Sequence, residues 1–256
     1  MKVKEFIKSK LTNETRLKLI FKSRSLKAIF YTFNLTKLAD IHKTDKSRYH
    51  FYTQHYQKHF KKYQFKRFNF LEIGVGGYEN PLSGGESLRM WKSFFPFAKI
   101  FSVDIFDKSF LQEKRIKIFK GSQVDTDFLN SVCIDAGVFD LIVDDGSHLN
   151  EHVIKSFEFL FPKLKSGGIY VVEDTQTSYW EEYGGSSTNL NQQGTIYTYF
   201  KSLIDSLNNE EFILKNYQKS YFDKHIISMH FYHNMIFIFK GENNETSNKV
   251  RNNQFK

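Results

Sequence analysis

Two apolar runs in this chain end abruptly in acids. Val143 leads into Asp144-Asp145-Gly146-Ser147-His148, and Val171-Val172 leads into Glu173-Asp174. Such a pattern reads as a buried strand whose carboxyl end opens on a cleft, the place where open α/β sheets bind ligands. Asp145, Glu173 and Asp174 offer the hard oxygen ligands that Mg2+ prefers. Three acids held close repel one another unless a cation neutralises them. His148, three residues after Asp145, can face the same cleft, and a neutral imidazole suits a general base. Each residue alone has a plainer reading. Asp144 and Asp145 would cap a helix near Ser147, Glu173-Asp174 would be a solvated loop, and a lone His148 would be structural. Their combination at the ends of adjacent strands points to a metal-and-base site, hence to an enzyme.

A third run, 68–73, ends in Glu72-Ile73-Gly74-Val75-Gly76-Gly77. Glycines in such a turn let the backbone approach a ligand closely. The spacing is not the dinucleotide G-x-G-x-x-G, and no Gly-Lys-Ser/Thr phosphate loop follows. The next run ends in Val103-Asp104, and an acid there suits ribose hydroxyls. Glu72 is a poor neighbour for a pyrophosphate and a good one for an amino group or a sulfonium. That favours S-adenosylmethionine over NAD.

The elements that must position these residues alternate. Strands are predicted at 68–73, 99–103, 116–119, 139–143 and 168–173, and helices at 85–94, 125–134, 150–161 and 195–208. Short strands alternating with helices imply an α/β fold around a parallel sheet with right-handed connections. Residues 226–232 and 235–239, flanking His233-Asn234, read as a hairpin that closes the sheet with an antiparallel strand. Upstream, 49–63 reads as a helix rich in aromatics and histidine. Residues 3–38 read as one or two amphipathic helices carrying Phe6, Ile7, Leu11, Leu17, Phe21, Leu26 and Phe30. They would dock on the core or form an oligomer interface. Residues 241–256 are polar and Asn-rich and are expected to be disordered. The expected organisation is a basic helical lead (1–40), a catalytic domain (41–240) and this tail.

At 256 residues the chain is long enough for one large α/β domain. Its formal charge is +9, and residues 1–27 hold nine Lys/Arg against two Asp/Glu. Most of the excess is therefore local to the lead, which could touch an anionic membrane surface or nucleic acid. The nearly neutral remainder argues against nucleic acid. One cysteine, Cys133, excludes an intrachain disulfide. No apolar run approaches the ~18 residues of a membrane span, and charged residues interrupt the N-terminus where a signal core would lie. The expected compartment is the cytoplasm.

Four segments together resemble one family. They are Leu71-Glu-Ile-Gly-Val-Gly-Gly-Tyr78, Ser83-Gly-Gly-Glu-Ser-Leu-Arg-Met-Trp91, Asp144-Asp-Gly-Ser-His148 and Val172-Glu-Asp-Thr-Gln-Thr-Ser-Tyr-Trp180. With Lys43-Thr-Asp-Lys46 and Tyr56 upstream, they are similar to the metal-dependent sugar O-methyltransferases of the mycinamicin type, over roughly residues 40–240. The resemblance implies a Rossmann-like class I methyltransferase fold, a mostly parallel seven-stranded sheet with an antiparallel C-terminal strand. It implies Mg2+ on Asp145, Glu173 and Asp174, with His148 as base. It also implies S-adenosylmethionine contacts from Thr44, Glu72, Gly74, Gly76, Asp104, Gln123 and Asp144. The macrolide-tailoring relative carries a large extra N-terminal domain, so acceptor size and oligomeric form do not carry over; a homo-oligomer is expected.

The expected reaction is methyl transfer to a sugar hydroxyl. Because the Lys-, Asn- and Phe-rich composition is unlike that of a GC-rich antibiotic producer, the expected setting is a surface glycan, capsule or lipopolysaccharide. The acceptor would be a nucleotide-linked sugar or a growing chain. The alternatives are a macrolide or other small-molecule natural product, a catechol-type substrate, a nucleic-acid base, and a non-catalytic scaffold that keeps the fold. No Asn-Pro-Pro-Tyr motif supports the nucleic-acid reading, and the intact acid-and-histidine set argues against the scaffold. Residues 179–187, Tyr-Trp-Glu-Glu-Tyr-Gly-Gly-Ser-Ser, read as a lid hinged at Gly184-Gly185, with aromatics that stack on a sugar.

Overall fold

The computed structural model describes residues 12–255. Phe6, Ile7 and Leu11 of the expected leading helices lie outside the described residues. The chain divides into two compact units. The first comprises Met1–Phe68, Val75–Ser102 and Phe106–Ile118; the second comprises Asn69–Gly74, Val103–Ile105 and Phe119–Lys256.

In the first unit, helix α1 (Asn13–Ala28) starts at Thr12, whose hydroxyl accepts the Thr15 N–H at 3.2 Å. Helix α2 (Leu35–His42) starts at Asn34, which caps Lys37 N–H at 2.9 Å. Both are N-cap residues of the favoured types. Helices α3 (Thr53–Phe60) and α4 (Glu86–Phe94) bring Tyr56, Phe60 and Trp91 into one aromatic cluster. The Tyr56 and Trp91 rings meet edge-on at 4.9 Å, an arrangement favoured by the ring quadrupoles.

The strands are β1 (Asn69–Ile73), β2 (Lys99–Asp104), β3 (Ile116–Lys120), β4 (Phe139–Asp144), β5 (Leu164–Glu173), β6 (Ile226–Tyr232) and β7 (Met235–Lys240). They form one seven-stranded sheet in the order β3-β2-β1-β4-β5-β7-β6. The order reverses between β1 and β4, a topological switch point. β1 pairs in parallel with β4, and β4 with β5; β7 runs antiparallel to both β5 and β6. The expected fold class is the one observed. Strand β5 begins earlier than its predicted start, because Leu164 already pairs with Phe139.

Helices α5 (Thr126–Ala136), α6 (Asn150–Leu160), α7 (Ile196–Leu207) and α8 (Tyr221–His225) complete the second unit. The Asp125 carboxylate caps α5, accepting the N–H groups of Asp127 and Phe128. The runs 141–143 and 169–172 are wholly buried, as expected of strands covered on both faces. The asparagine-rich tail carries a two-stranded ribbon, β8 (Val250–Arg251) with β9 (Gln254–Phe255). Asn252 and Asn253 turn it at φ 51° and 58°, a conformation asparagine tolerates in two-residue hairpins. Asn253 and Asn243 also donate to backbone carbonyls of Phe212 and Asp223. Composition suggests disorder there, but these asparagines tie the tail back to the 212–223 region.

Candidate functional site

The register of three parallel strands gathers the acids. Glu72 of β1 sits beside Val143 of β4, and Val143 beside Val171 of β5. Side chains alternate across a sheet with a period of two. Asp145 and Glu173, each two residues on, therefore share the face that carries Glu72. One carboxylate oxygen from each of Glu72, Asp145 and Glu173 lies within 4.8 Å of the other two. The ladder extends past β4, since Asp145 N–H donates to Ile73 O at 3.0 Å. Asp145 also belongs to a second group of the same tightness, with His148 and Asp174.

His148 turns its Nε2 toward both flanking acids, 3.9 Å from Asp145 Oδ1 and 3.7 Å from Asp174 Oδ2. Its Nδ1 is buried and has no hydrogen-bond partner among the described residues. His148 and Asp174 both adopt the left-handed backbone, at φ 57° and 53°. Such conformations in non-glycine residues cost free energy and cluster at functional sites. Here they aim two side chains from different loops at one point.

Asp144 takes the opposite face. Its carboxylate accepts hydrogen bonds from Tyr170 Oη at 3.1 Å and Gln123 Nε2 at 3.3 Å. Gln123 donates also to Ser156 Oγ on α6 at 2.9 Å, and its Oε1 accepts the Ser147 N–H at 2.8 Å. Burial pushes the Asp144 carboxyl up to about 7, against the hydrogen bonds from Tyr170, Gly146 and Gln123. Asp144 is 1% exposed and Gln123 8%. The two therefore brace the 145–148 turn from beneath. His152 reads from sequence as plain helix surface, yet its Nδ1 meets Ser147 Oγ at 3.0 Å and ties it to the same turn.

Gly74 lies where the strand ends come closest. A Cβ there would stand 2.1 Å from Asp145 O, and its φ is 94°. Its N–H donates to Val103 O at 2.8 Å, and Gly121 N–H donates to Asp104 O at 2.8 Å. Glu72, Gly74 and Asp104 thus all belong to the second unit, at the ends of β1 and β2. Thr44 and Gly76 belong to the first unit. Thr44 is buried there, its N–H donating to Ala39 O at 3.1 Å.

The aromatic segment after Asp174 is folded back on itself. Thr175–Tyr179 and Glu181–Tyr183 form 3-10 turns. Ser186 N–H donates to Ser178 O at 3.0 Å, and Gly185 N–H to Trp180 O at 2.8 Å. Gly185 is hemmed in, since a Cβ would lie 2.5 Å from the Ser178 carbonyl. It reads as a close approach rather than as half of a hinge. Buried Asn150, the first residue of α6, holds the segment. Its Nδ2 donates to Thr177 O at 3.2 Å and Tyr183 O at 2.8 Å. Its Oδ1 accepts from Ser178 Oγ at 3.3 Å and from Ile196 N–H at 2.7 Å. Asn150 attracts no notice in the sequence. Its position directly after the His148 turn, at a helix start, is the only local signal.

The donor set fits a hard divalent cation. Glu72 and Glu173 are buried, at 0% and 2% exposed, beside the half-covered Asp145 and Asp174. Carboxylates so enclosed would repel without a counter-charge. Sequence reading places Glu72 with the cofactor turn only; the structure brings its carboxylate to the acid face as well. Period-two counting across β1, β4 and β5 would reveal this once the strand order was known.

No family model matches the chain. The mycinamicin VI 2''-O-methyltransferase of Micromonospora griseorubida is 46% identical over 197 residues, covering 77% of this chain and 49% of the relative. A tetracenomycin-C rhamnosyl 3'-O-methyltransferase of Streptomyces olivaceus is 40% identical over 214 residues, covering 83% of this chain and 55% of the relative. The crystal structure of the MycE methyltransferase from mycinamycin biosynthesis, in complex with Mg and SAH, superposes with a TM-score of 0.81 at 44% identity, covering 83% of this chain and 56% of that one. The chain thus has a methyltransferase fold, and its resemblance to the sugar O-methyltransferases extends over most of its length. It spans about half the length of the curated relatives it matches. One relative is named for mycinamicin VI and the other for a rhamnosyl tetracenomycin-C, and neither for a surface glycan. The capsule or lipopolysaccharide setting is therefore unsupported, and the natural-product alternative fits better.

Proposed function

We propose that this chain is an S-adenosylmethionine- and Mg2+-dependent O-methyltransferase whose acceptor is a hydroxyl of a sugar carried on a small natural product, such as a macrolide or aromatic polyketide. The observation that carries the reading is the single face on which Glu72, Asp145 and Glu173 converge, with His148 turned toward Asp145 and Asp174. Asp145, Glu173 and Asp174 would hold the metal, with Glu72 beside them. In the second unit Glu72, Gly74 and Asp104 would receive the cofactor, with Asp144 and Gln123 supporting the turn that carries Asp145; the family resemblance adds Gln123, Asp144 and, in the first unit, Thr44 and Gly76 as cofactor contacts. When bound, the cofactor supplies a sulfonium methyl group and Mg2+ polarises the acceptor oxygen.

The residues of the chain do the rest. His148 Nε2 takes the hydroxyl proton as the oxygen forms its bond to the methyl carbon and the carbon–sulfur bond breaks. General-base assistance of this kind is typically worth about 10²–10⁴-fold. Asp145 and Asp174 stabilise the imidazolium that results. Tyr179 and Trp180, partly exposed in the segment that follows Asp174, would offer ring surfaces to an acceptor sugar. Residues 41–240 would form the catalytic region, acting in the cytoplasm as a homo-oligomer.

A mass-spectrometric methyl-transfer assay tests the reading. The full chain is offered S-adenosylmethionine and Mg2+ with desmethyl macrolide and polyketide glycosides, and in parallel with nucleotide-activated hexoses, each with and without EDTA. One added methyl on a glycoside, lost with EDTA, is expected. Transfer confined to the nucleotide sugars would return the acceptor to glycan assembly. Transfer that survives exhaustive chelation would remove the metal from the scheme.

A further inference from the structure

Helix α1 spends only one of its faces on the fold. Phe21 and Ala28 are buried and Leu17, Arg24 and Ser25 half-covered. At 3.6 residues per turn these five fall on one side. The opposite side carries Leu19 and Leu26, seven residues apart and 53% and 57% exposed. The 3-10 turn Ile29–Tyr31 that follows continues the exposed apolar surface with Ile29 and Phe30, 65% and 85% exposed, and Phe33 just past it is 70% exposed. Large apolar side chains aligned on an outward face need an occupant.

The borders of this stripe are basic. Helical spacing places Lys22 on one side of it and Arg16 and Lys27 on the other. Arg24 and Lys18 are already engaged, by His42 O at 3.0 Å and over the Phe110 ring at 5.3 Å. Lys27 and Lys37 line a cavity of about 250 Å³ with Tyr31, Ile41, Asp40 and Arg48. The only acid there, Asp40, is taken by Arg48 at 3.1 Å and Ser47 at 3.1 Å. The cavity therefore presents unneutralised positive charge next to the apolar stripe.

We propose that this face docks on an anionic membrane surface, with Leu19, Leu26 and Phe30 in the headgroup–acyl boundary and lipid phosphates against Lys22, Lys27 and Lys37. An apolar stripe bordered by cations is the pattern of a helix lying in the interface plane. A second copy of the chain is a poorer occupant. Pairing about a twofold axis sets like patches against each other, so Lys22, Arg16 and Lys27 would face their own kind. The inference is independent of the proposed methyl transfer.

Co-sedimentation of the full chain with vesicles tests it, using phosphatidylcholine alone and phosphatidylcholine with one third phosphatidylglycerol. Binding is expected only to the anionic vesicles, and weaker at high salt. Each basic residue near such a surface contributes about fivefold in partitioning, so K22E/K27E should weaken binding by at least tenfold. L26E/F30E should do the same at unchanged salt, with unaltered circular dichroism. As a variant that keeps the stripe apolar, F30W should retain binding and shift its emission to the blue when anionic vesicles are added. Equal binding to neutral vesicles, or binding indifferent to both double variants, overturns the proposal. So does a concentration-dependent dimer that L26E/F30E dissolves, which would assign the face to a second copy.

Discussion

Asp144 and Asp145 are chemically identical neighbours with opposite fates. Strand alternation sends Asp145 to the acid face and Asp144 beneath the sheet, onto Tyr170 and Gln123. The acids could be singled out in the sequence because two apolar runs break into them, and His148 because it follows Asp145 by three residues. Glu72's second membership was not legible, since it depends on which strands become neighbours. So did the inward course of Asp144 and Gln123. The role proposed for His148 predicts a specific pattern of loss. His148→Ala should leave cofactor affinity, measured by calorimetry, within a factor of a few, while kcat falls about 10²–10⁴-fold. Turnover near that of the unaltered protein would end the base assignment.

Among the elements, strands and helices fell close to where periodicity placed them, and the 226–240 hairpin turned at Asn234 as expected. Two things stayed hidden. The tail ribbon has no apolar period, since two-residue strands paired around an Asn252-Asn253 turn are too short to show one. The aromatic segment 179–187 looked like a hinged lid because its glycines were visible and its anchor was not. Asn150 satisfies its whole amide on Thr177, Ser178, Tyr183 and Ile196. Removing it leaves buried backbone carbonyls and the Ile196 N–H without partners, a penalty of about 1–3 kcal/mol for each buried group left unsatisfied. Asn150→Ala should therefore lower the melting midpoint and loosen the segment. Trp180 reports the second effect, since Trp91, the other tryptophan, is 0% exposed and silent to quenchers. Greater iodide quenching with unchanged cofactor affinity is expected. A rigid Trp180 in the variant would mean that the 3-10 turns hold themselves.

For the molecule as a whole, its setting was the least legible property. Composition suggested a surface glycan, while the relatives point to natural products. The residue usage of a chain follows its genome as a whole, whereas an acceptor is chosen by a few side chains around one face. Global stability, by contrast, has a traceable pH signature. Burial, then Arg89, Arg24 and Lys92, lower the pKa of His42 from 6.5 to about 4. The unfolded chain takes up that proton as pH falls below 6.5, and the folded protein does not until about 4. Stability is thus complete above the upper value and is lost on descending through the window, on the order of 3 kcal/mol from this group. Melting curves across that range should show the decline, and His42→Gln, which can still reach Ser93, should flatten it. An unchanged slope in the variant would place the acid sensitivity elsewhere. The arrangement of β1, β4 and β5 carries one last consequence. The acids hang on the final rungs of three strands, while the aromatic segment that follows Asp174 is tied to the scaffold through Asn150, Tyr197 and Asn234. Under the proposed reaction, chemistry and recognition would be inherited separately: a lineage could rewrite residues 175–195 as a cassette between Asp174 and Ile196 without touching the acids or His148.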